Sequence, residues 1–236
     1  MSTNTEQPPG SDLAYLRLLH LADSALPIGA LAHSFGLESV AACGLLTPTG
    51  VPGFLRGYVE EAGVMEAVFC REGFRLAEKN AFDRNRWVEI NQRLSALKPA
   101  RESRAGSAAL GQHFLSAVLG LGEFPLLRQA AACQAQCVMH HAPAFGLVAG
   151  ALGLDEERAV LAYLHQSLAS LASVCQRLMP IGQSEATRIL WNLKPGLINA
   201  AARSRACSVD DVSCFTPLLD WGAMEHPALT TRLFIS

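Results

Sequence analysis

Apolar residues recur at helical spacing along most of this chain. The clearest stretch covers residues 155–179, where leucines and then Cys175 follow one another at alternating steps of three and four residues. Asp155 is suited to cap this helix because its carboxylate can accept from free backbone N–H groups, and Pro180 ends it. Such a narrow apolar seam predicts packing against one or two neighbouring helices.

The same spacing predicts further helices, separated by proline, glycine and helix-capping residues. A helix opening at Pro125 is predicted to run to about His140. Another is predicted from Ser184, as its N-cap, to about Arg205, with Pro195 bending it or splitting it in two. These boundaries follow from local chemistry alone.

Strand signals are nearly absent, since no alternating run of β-branched residues and no Asn-Gly hairpin turn occurs. The sequence therefore predicts an all-α, single-domain bundle of about eight to ten helices. We expect residues 1–10 to be a disordered polar tail and residues 11–205 to form the helical core, with Ser11 capping the first helix. Residues 206–236 are less periodic and end in apolar side chains, which is typical of a segment of the same domain that becomes ordered on partner binding.

Composition points to an interaction protein. Half of the 236 residues are apolar and 17% are charged, against ~25% charged in typical soluble domains. Apolar surface is therefore expected to face partners. With a net charge of −2 and scattered basic residues, the chain is not expected to bind nucleic acid or an anionic membrane. Its longest apolar run, residues 144–154, is shorter than the ~20 residues that span a bilayer.

The cysteine count bears on location. Seven cysteines at irregular spacing are typical of reduced thiols in a cytosolic protein. The first residues carry neither a basic start nor an apolar stretch, so they do not read as a signal peptide. We expect a cytoplasmic protein.

Four residues are candidates for a metal site. Cys133, Cys137 and His140 or His141 would lie on one side of the helix predicted from Pro125. A structural zinc site usually takes four ligands, often with close cysteine pairs on a turn, and cysteine is also a common buried residue. A packed helix face is therefore the favoured interpretation, and a carrier of nickel or zinc is kept as an alternative.

No arrangement of residues indicates catalysis. Ser184 stands in a sequence like a nucleophile elbow, but that motif needs a preceding strand and a final glycine, and both are missing here. The loop at residues 120–125 begins like a dinucleotide fingerprint, yet Pro125 stands at its third glycine. We expect no catalytic residue and no cofactor. A small helical hydrolase using Ser184 or a cysteine is the second alternative.

Several segments differ from ordinary helix sequence. They are residues 21–29 (LADSALPIG), 33–38 (HSFGLE), 102–111, 141–154, 177–183 (RLMPIGQ), 217–226 and 232–234 (RLF). In this order and spacing, the chain resembles the urease accessory protein UreF family from about residue 14 to residue 236. It departs from that family's pattern at Ala30, Ala32 and Pro227, which concerns local loop geometry.

The resemblance implies an all-helical, dimerising protein that is not an enzyme. It implies a scaffold that joins the accessory protein UreD (also called UreH) and the GTPase UreG in a complex that loads nickel into apo-urease. It also implies recruitment or modulation of UreG and a C-terminal segment that becomes ordered against UreD. Arg177 and Gln183 fit either a buried structural network or a contact surface. Partner contacts are expected at His33, Ser34, Glu38, Glu102, Arg104, Arg177, Gln183, Arg232 and Phe234.

Overall fold

The computed structural model describes residues 9–78 and 81–236. Within these ranges the chain consists of helices, turns and loops and contains no β-strand, which confirms the all-α prediction. The helices are α1 Pro9–Leu21, α2 Leu37–Ala42, α3 Val51–Tyr58, α4 Val64–Ala77, α5 Arg84–Ala96, α6 Arg101–Leu119, α7 Pro125–Ala131, α8 His141–Ala151, α9 Glu156–Leu178, α10 Gln183–Asn192, α11 Lys194–Ala206 and α12 Pro217–Glu225. A π-helical turn, Val59–Gly63, joins α3 to α4.

Three helix boundaries differ from the sequence prediction. Helix α1 begins at Pro9, so Ser11 lies inside the helix rather than at its cap, and the rest of the predicted tail, residues 1–8, lies outside the described residues. Helix α7 ends at Ala131 instead of near His140. Helix α10 starts one residue before Ser184. Helix ends are the least certain part of a periodicity argument because turns can continue or stop a pattern by one or two residues.

Other local predictions are confirmed. The helical pattern that contains Pro195 is split at Leu193, which separates α10 from α11. The Asp155 carboxylate accepts the backbone N–H of Arg158 at 2.8 Å, so it caps α9. These features are confirmed because each depends on residues within one helical turn.

We expect Asp155→Ala to lower the free energy of unfolding by about 1 kcal/mol, because the first turn of α9 loses a side-chain acceptor for a free backbone N–H. Chemical denaturation followed by circular dichroism measures this change. Asp155→Asn is the matched control and should retain most of the stability, since asparagine caps helices equally well. An equal loss in both variants would mean that the carboxylate acts through its charge instead.

The centre of the bundle is the pair α4 and α8, which lie almost backbone to backbone. A Cβ atom added at Gly146 of α8 would meet the carbonyl group of Cys70, and one added at Gly73 of α4 would meet the carbonyl group of Pro143. Residues 141–149 are all buried, so α8 is enclosed by its neighbours over most of its length. Helices α6, α9 and α11 pack around this pair.

A buried arginine fixes the orientation of the outer helices. Arg71 of α4 donates to Glu156 at 3.1 Å and Glu157 at 2.5 Å, both at the start of α9. It also donates to the Ser204 hydroxyl at 2.9 Å and the Ala201 carbonyl at 2.8 Å, both on α11. The guanidinium is therefore satisfied on several sides, as a buried charge must be. No helix in the described part of the chain is both long and apolar enough to cross a bilayer.

Candidate interaction site

The C-terminal segment, residues 207–236, folds back over α2. Its helix α12 crosses the start of α2 at two glycines, Gly36 and Gly222. A Cβ atom on Gly36 would collide with backbone atoms of Leu219 and Ala223, and one on Gly222 would collide with the Gly36 carbonyl. Gly36 also has a φ of 92°, a conformation that favours glycine. Both glycines thus allow the segment to lie directly against α2.

Glu38 of α2 holds the end of this segment. Its carboxylate is 5% exposed and accepts the backbone N–H groups of Leu233 at 2.6 Å and Phe234 at 3.2 Å. It also accepts from the His226 ring at 2.9 Å. A buried carboxylate needs such donors, because its desolvation is otherwise strongly unfavourable.

His226 lies between two carboxylates. Its Nε2 faces Glu38, and its Nδ1 is 2.7 Å from an oxygen of Glu102 on α6. The second contact is short but is not aligned as a hydrogen bond. The ring is fully buried. It therefore connects the C-terminal segment to both α2 and α6.

The last residue is bound beside α2 as well. The Ser236 carbonyl accepts the backbone N–H groups of Ser34 and Phe35, and its hydroxyl lies 2.7 Å from Nδ1 of His33. Burial, and then the nearby His113, lower the pKa of His33, so this ring is neutral near pH 7. The Ser34 hydroxyl is buried without a hydrogen-bond partner in the described chain.

Arg177 of α9 also contacts the C-terminal segment. Its guanidinium donates to the Leu31 carbonyl at 2.7 Å and lies 4.1 Å from the centre of the Phe234 ring. This geometry combines a charge-assisted hydrogen bond with a cation–π contact. Arg177 is itself exposed, so these contacts within the chain leave both interpretations, a structural network and a contact surface, open.

The structure thus brings six of the nine predicted site residues together around the C-terminal segment. With His226 and Ser236 they form what we call the Glu38 cluster: His33, Ser34, Glu38, Glu102, Arg177, Phe234, His226 and Ser236. His226 is one of the residues that carry the family resemblance but is not among the nine predicted contact residues, and nothing in the sequence points to Ser236.

The other three predicted residues lie apart from these contacts. Arg104 donates to the carbonyls of Lys98 and Pro99 and so holds the loop between α5 and α6. Gln183 is exposed and accepts from Gln176 at 2.9 Å. Arg232 is exposed on the C-terminal segment. Partner binding by any of the nine stays a prediction.

An apolar surface lies on the outer side of this segment. Phe215 is 77% exposed and Ile235 is 70% exposed. Three further large apolar side chains of the segment are exposed: Trp221, Met224 and Leu233. So much apolar surface on one segment is typical of a contact site for another protein.

The residues considered for metal binding have other roles. The helix predicted from Pro125 does not reach these residues: α7 ends at Ala131, Cys133 lies in a 3-10 turn, Ala132–Ala135, and His141 begins α8. The His140 ring contacts the hydroxyls of Ser95 at 2.7 Å and Ser107 at 3.1 Å. Across the described residues, no group of three or more His, Cys, Asp or Glu side chains is arranged to hold a metal ion.

Ser184 also lacks the setting of a nucleophile. It is exposed in the first turn of α10, and a loop rather than a strand precedes it. A nucleophile elbow needs the strained turn between a strand and a helix to present its serine.

Comparison with known proteins decides the family. The UreF family model matches residues 45–194 of this chain. The chain belongs to the UreF family. A urease accessory protein UreF from Mesorhizobium japonicum is 33% identical over 234 residues, which are 98% of this chain and all of that protein.

Other UreF proteins show the same extent of similarity. The urease accessory protein UreF of a Bradyrhizobium species is 31% identical, with 96% of this chain and 94% of that protein covered. The one from Actinobacillus pleuropneumoniae is 30% identical, with 93% and 97% covered. The similarity to UreF proteins therefore includes α1 and the C-terminal segment as well as the central helices. Membership of UreF, a family of urease accessory proteins, is in accord with the interaction protein expected from the sequence.

Proposed function

We propose that this chain is a non-catalytic scaffold for urease maturation, which joins UreD and UreG in a complex that delivers nickel to apo-urease. The observation that carries the proposal is the apolar outer surface of the C-terminal segment, held in place by the buried Glu38 cluster. A rigidly held apolar surface loses little conformational entropy on binding, which favours association. In this proposal the surface is the contact for UreD.

The proposal includes a cytoplasmic homodimer that recruits UreG and modulates its hydrolysis of GTP. The low charge of the chain supports several protein contacts, because charged side chains are depleted at the centres of interfaces. The chain itself holds no cofactor in this account, and nickel is the cargo of the complex.

Replacing Ile235 with Asp is expected to weaken capture of UreD at least 10-fold, because a charge would be buried in the contact. Co-purification of tagged UreD with the variant and with the parent chain measures this. Leu121→Asp is the matched control: Leu121 is also exposed, follows the far end of α6, and should leave capture unchanged. Ile235 is exposed, so the substitution leaves the Glu38 cluster intact, which deletion of residues 225–236 would not.

The cellular form of the test measures nickel in urease. Urease purified from cells that lack this chain should be inactive and poor in nickel, and expression of the parent chain should restore both. Equal UreD capture by Ile235→Asp and Leu121→Asp would remove the role of the C-terminal surface. Fully nickel-loaded urease in cells without the chain would remove the scaffold proposal altogether.

A further inference from the structure

Helix α12 has an exposed apolar stripe, formed by Trp221 and Met224, on the side that faces away from the core. Its buried residues, Gly222 and Ala223, pack against the start of α2 at Gly36. Trp221 is 37% exposed and Met224 is 53% exposed. The two are three positions apart, so their side chains are neighbours along the helix. The stripe is thus an apolar surface on a helix that is itself fixed to the core.

A carboxylate lies on each edge of the stripe. An α-helix turns by about 100° per residue, so Asp220 lies along one edge, beside Trp221, and Glu225 lies along the other, beside Met224. Glu225 is exposed and Asp220 is partly exposed. A partner that covers the stripe would therefore come close to both carboxylates.

Phe215 extends the apolar surface before the first residue of α12, and it also has a carboxylate beside it. Its ring is exposed, and its backbone N–H donates to the carboxylate of Glu61 at 3.3 Å. Glu61 lies in the π-helical turn that joins α3 to α4 and is partly exposed. The same combination of an exposed apolar side chain and a neighbouring carboxylate thus occurs on both sides of the start of α12.

No basic side chain within the described residues lies at ion-pair distance from Asp220 or Glu225. Asp220 accepts the Thr216 hydroxyl at 3.3 Å, and the nearby Lys98 is paired with Glu66. Burial raises the pKa of Asp220 more than Thr216 and Lys98 lower it. A cation brought by a partner would therefore stabilise the charged form of this carboxylate.

The C-terminal segment as a whole carries negative charge. Residues 207–236 contain four carboxylates, Asp210, Asp211, Asp220 and Glu225, and one basic residue, Arg232. In the complete chain, by contrast, 21 acidic and 19 basic residues nearly balance. The surplus of negative charge is thus concentrated on the segment that carries the stripe. Such a surface repels nucleic acid and anionic lipid and attracts a basic protein surface.

We propose that the partner surface that docks on α12 is an apolar groove edged by lysine or arginine side chains, which pair with Asp220 and Glu225. The groove itself receives Trp221 and Met224. This inference rests on the proposed function, because the same surface is the proposed contact for UreD, and it adds the chemistry that UreD presents there. An apolar centre with a charged rim is the usual arrangement of a protein interface, and the rim steers the encounter of the two partners.

The salt dependence of association tests the charged edges. Tagged UreD is held on a sensor surface, and binding of the full chain is followed at about 0.1 M and about 1 M NaCl, where the Debye length is about 10 Å and about 3 Å. We expect the association rate constant of the parent chain to fall at least about 3-fold at the higher salt concentration, because attraction between the rims is screened. The dissociation rate constant should change less, since it depends mainly on the apolar centre.

Glu225→Lys reverses the charge on one edge. It should lower the association rate constant at least about 5-fold at the lower salt concentration, and the difference should shrink at the higher one. Lysine is favourable at the end of a helix, so α12 should be kept. Asp220→Asn, the second variant, keeps an acceptor for Thr216 and should have a smaller effect, because it only removes a charge. Glu78→Lys is the matched control: Glu78 is exposed after the end of α4, and the net charge changes equally, so the rate should stay unchanged.

Several results would overturn the inference. Equal association rates for Glu225→Lys and Glu78→Lys, or a rate of the parent chain that does not depend on salt, would mean that the partner has no basic rim. Faster association of Glu225→Lys would indicate an acidic partner. Binding of the chain to immobilised copies of itself that Glu225→Lys weakens, with UreD binding unaffected, would make a second copy the occupant.

The Ile235→Asp variant separates this inference from the proposed function. If Ile235→Asp prevents capture of UreD but Glu225→Lys behaves like Glu78→Lys, the UreD contact stands and only the basic rim is wrong. If Ile235→Asp captures UreD as well as the parent chain does, the proposed contact and this inference are both wrong.

Discussion

Acidification from pH 7 to pH 5 is expected to cost this chain several kcal/mol of folding free energy through two buried histidines. Burial lowers the pKa of His140 to about 3 and that of His141 to about 4, whereas both titrate near 6.5 when unfolded. Between these values the unfolded chain binds protons that the folded chain excludes. Stability is therefore fully present above about pH 6.5 and is lost as the pH falls toward 4, by about 1.4 kcal/mol per histidine for each pH unit.

Chemical denaturation at half-unit steps from pH 7.5 to 5 measures this slope. His141→Phe should reduce it by about 1.4 kcal/mol per pH unit, because one titrating group is removed while its ring contacts with Phe145 and Tyr163 are kept. His20→Gln, at an exposed position of α1, is the control and should leave the slope unchanged. An unchanged slope in His141→Phe would show that this ring is protonated in the folded chain.

Glu38→Ala is expected to cause the second large loss of folding free energy. The substitution leaves His226 buried with Glu102 alone and removes the acceptor for two backbone N–H groups. Each buried donor that is left without an acceptor costs about 1–3 kcal/mol. The loss can be confined to the C-terminal segment, because a weakened segment detaches before the core unfolds.

Hydrogen exchange measures where this energy is lost. The amides of Leu233 and Phe234 should lose their protection in Glu38→Ala, whereas the amides of α4 and α8 should keep theirs. Glu225→Ala is the control, since Glu225 is an exposed carboxylate at the end of α12 and should leave all of these rates unchanged. Retained protection at Leu233 in Glu38→Ala would show that apolar packing of Phe234 holds the segment without Glu38.

The same contacts bear on the expectation that residues 206–236 become ordered on partner binding. The segment is attached by a few buried polar contacts around Glu38, while large apolar side chains such as Phe215 and Ile235 remain exposed. A segment held in this way can be both docked on its own core and available to a partner. Ordering on partner binding stays a prediction, and the exchange rates of Leu233 and Phe234 with and without UreD would test it.

The sequence by itself determined the class of the fold, the family and most of the local structure. The apolar seam of α9, its cap at Asp155 and the split before Pro195 could all be predicted. Each depends on residues three or four positions apart, and helix propensity and capping act over that distance. Three helix boundaries were predicted wrongly, at Ser11, at Ser184 and after Ala131. At each of them a helical turn can continue or stop without breaking the apolar pattern.

Only the tertiary structure decided which of the distinctive residues meet. Glu38 and His226 are 188 positions apart, and no periodicity relates them. Their contact exists because Gly36 and Gly222 let α12 lie directly on α2, and because α6 presents Glu102 from the other side. The apolar stripe on α12 is likewise left exposed because the opposite side of that helix packs against α2. Local spacing specifies each helix, but the packing of whole helices determines which buried polar atoms find a partner and which do not.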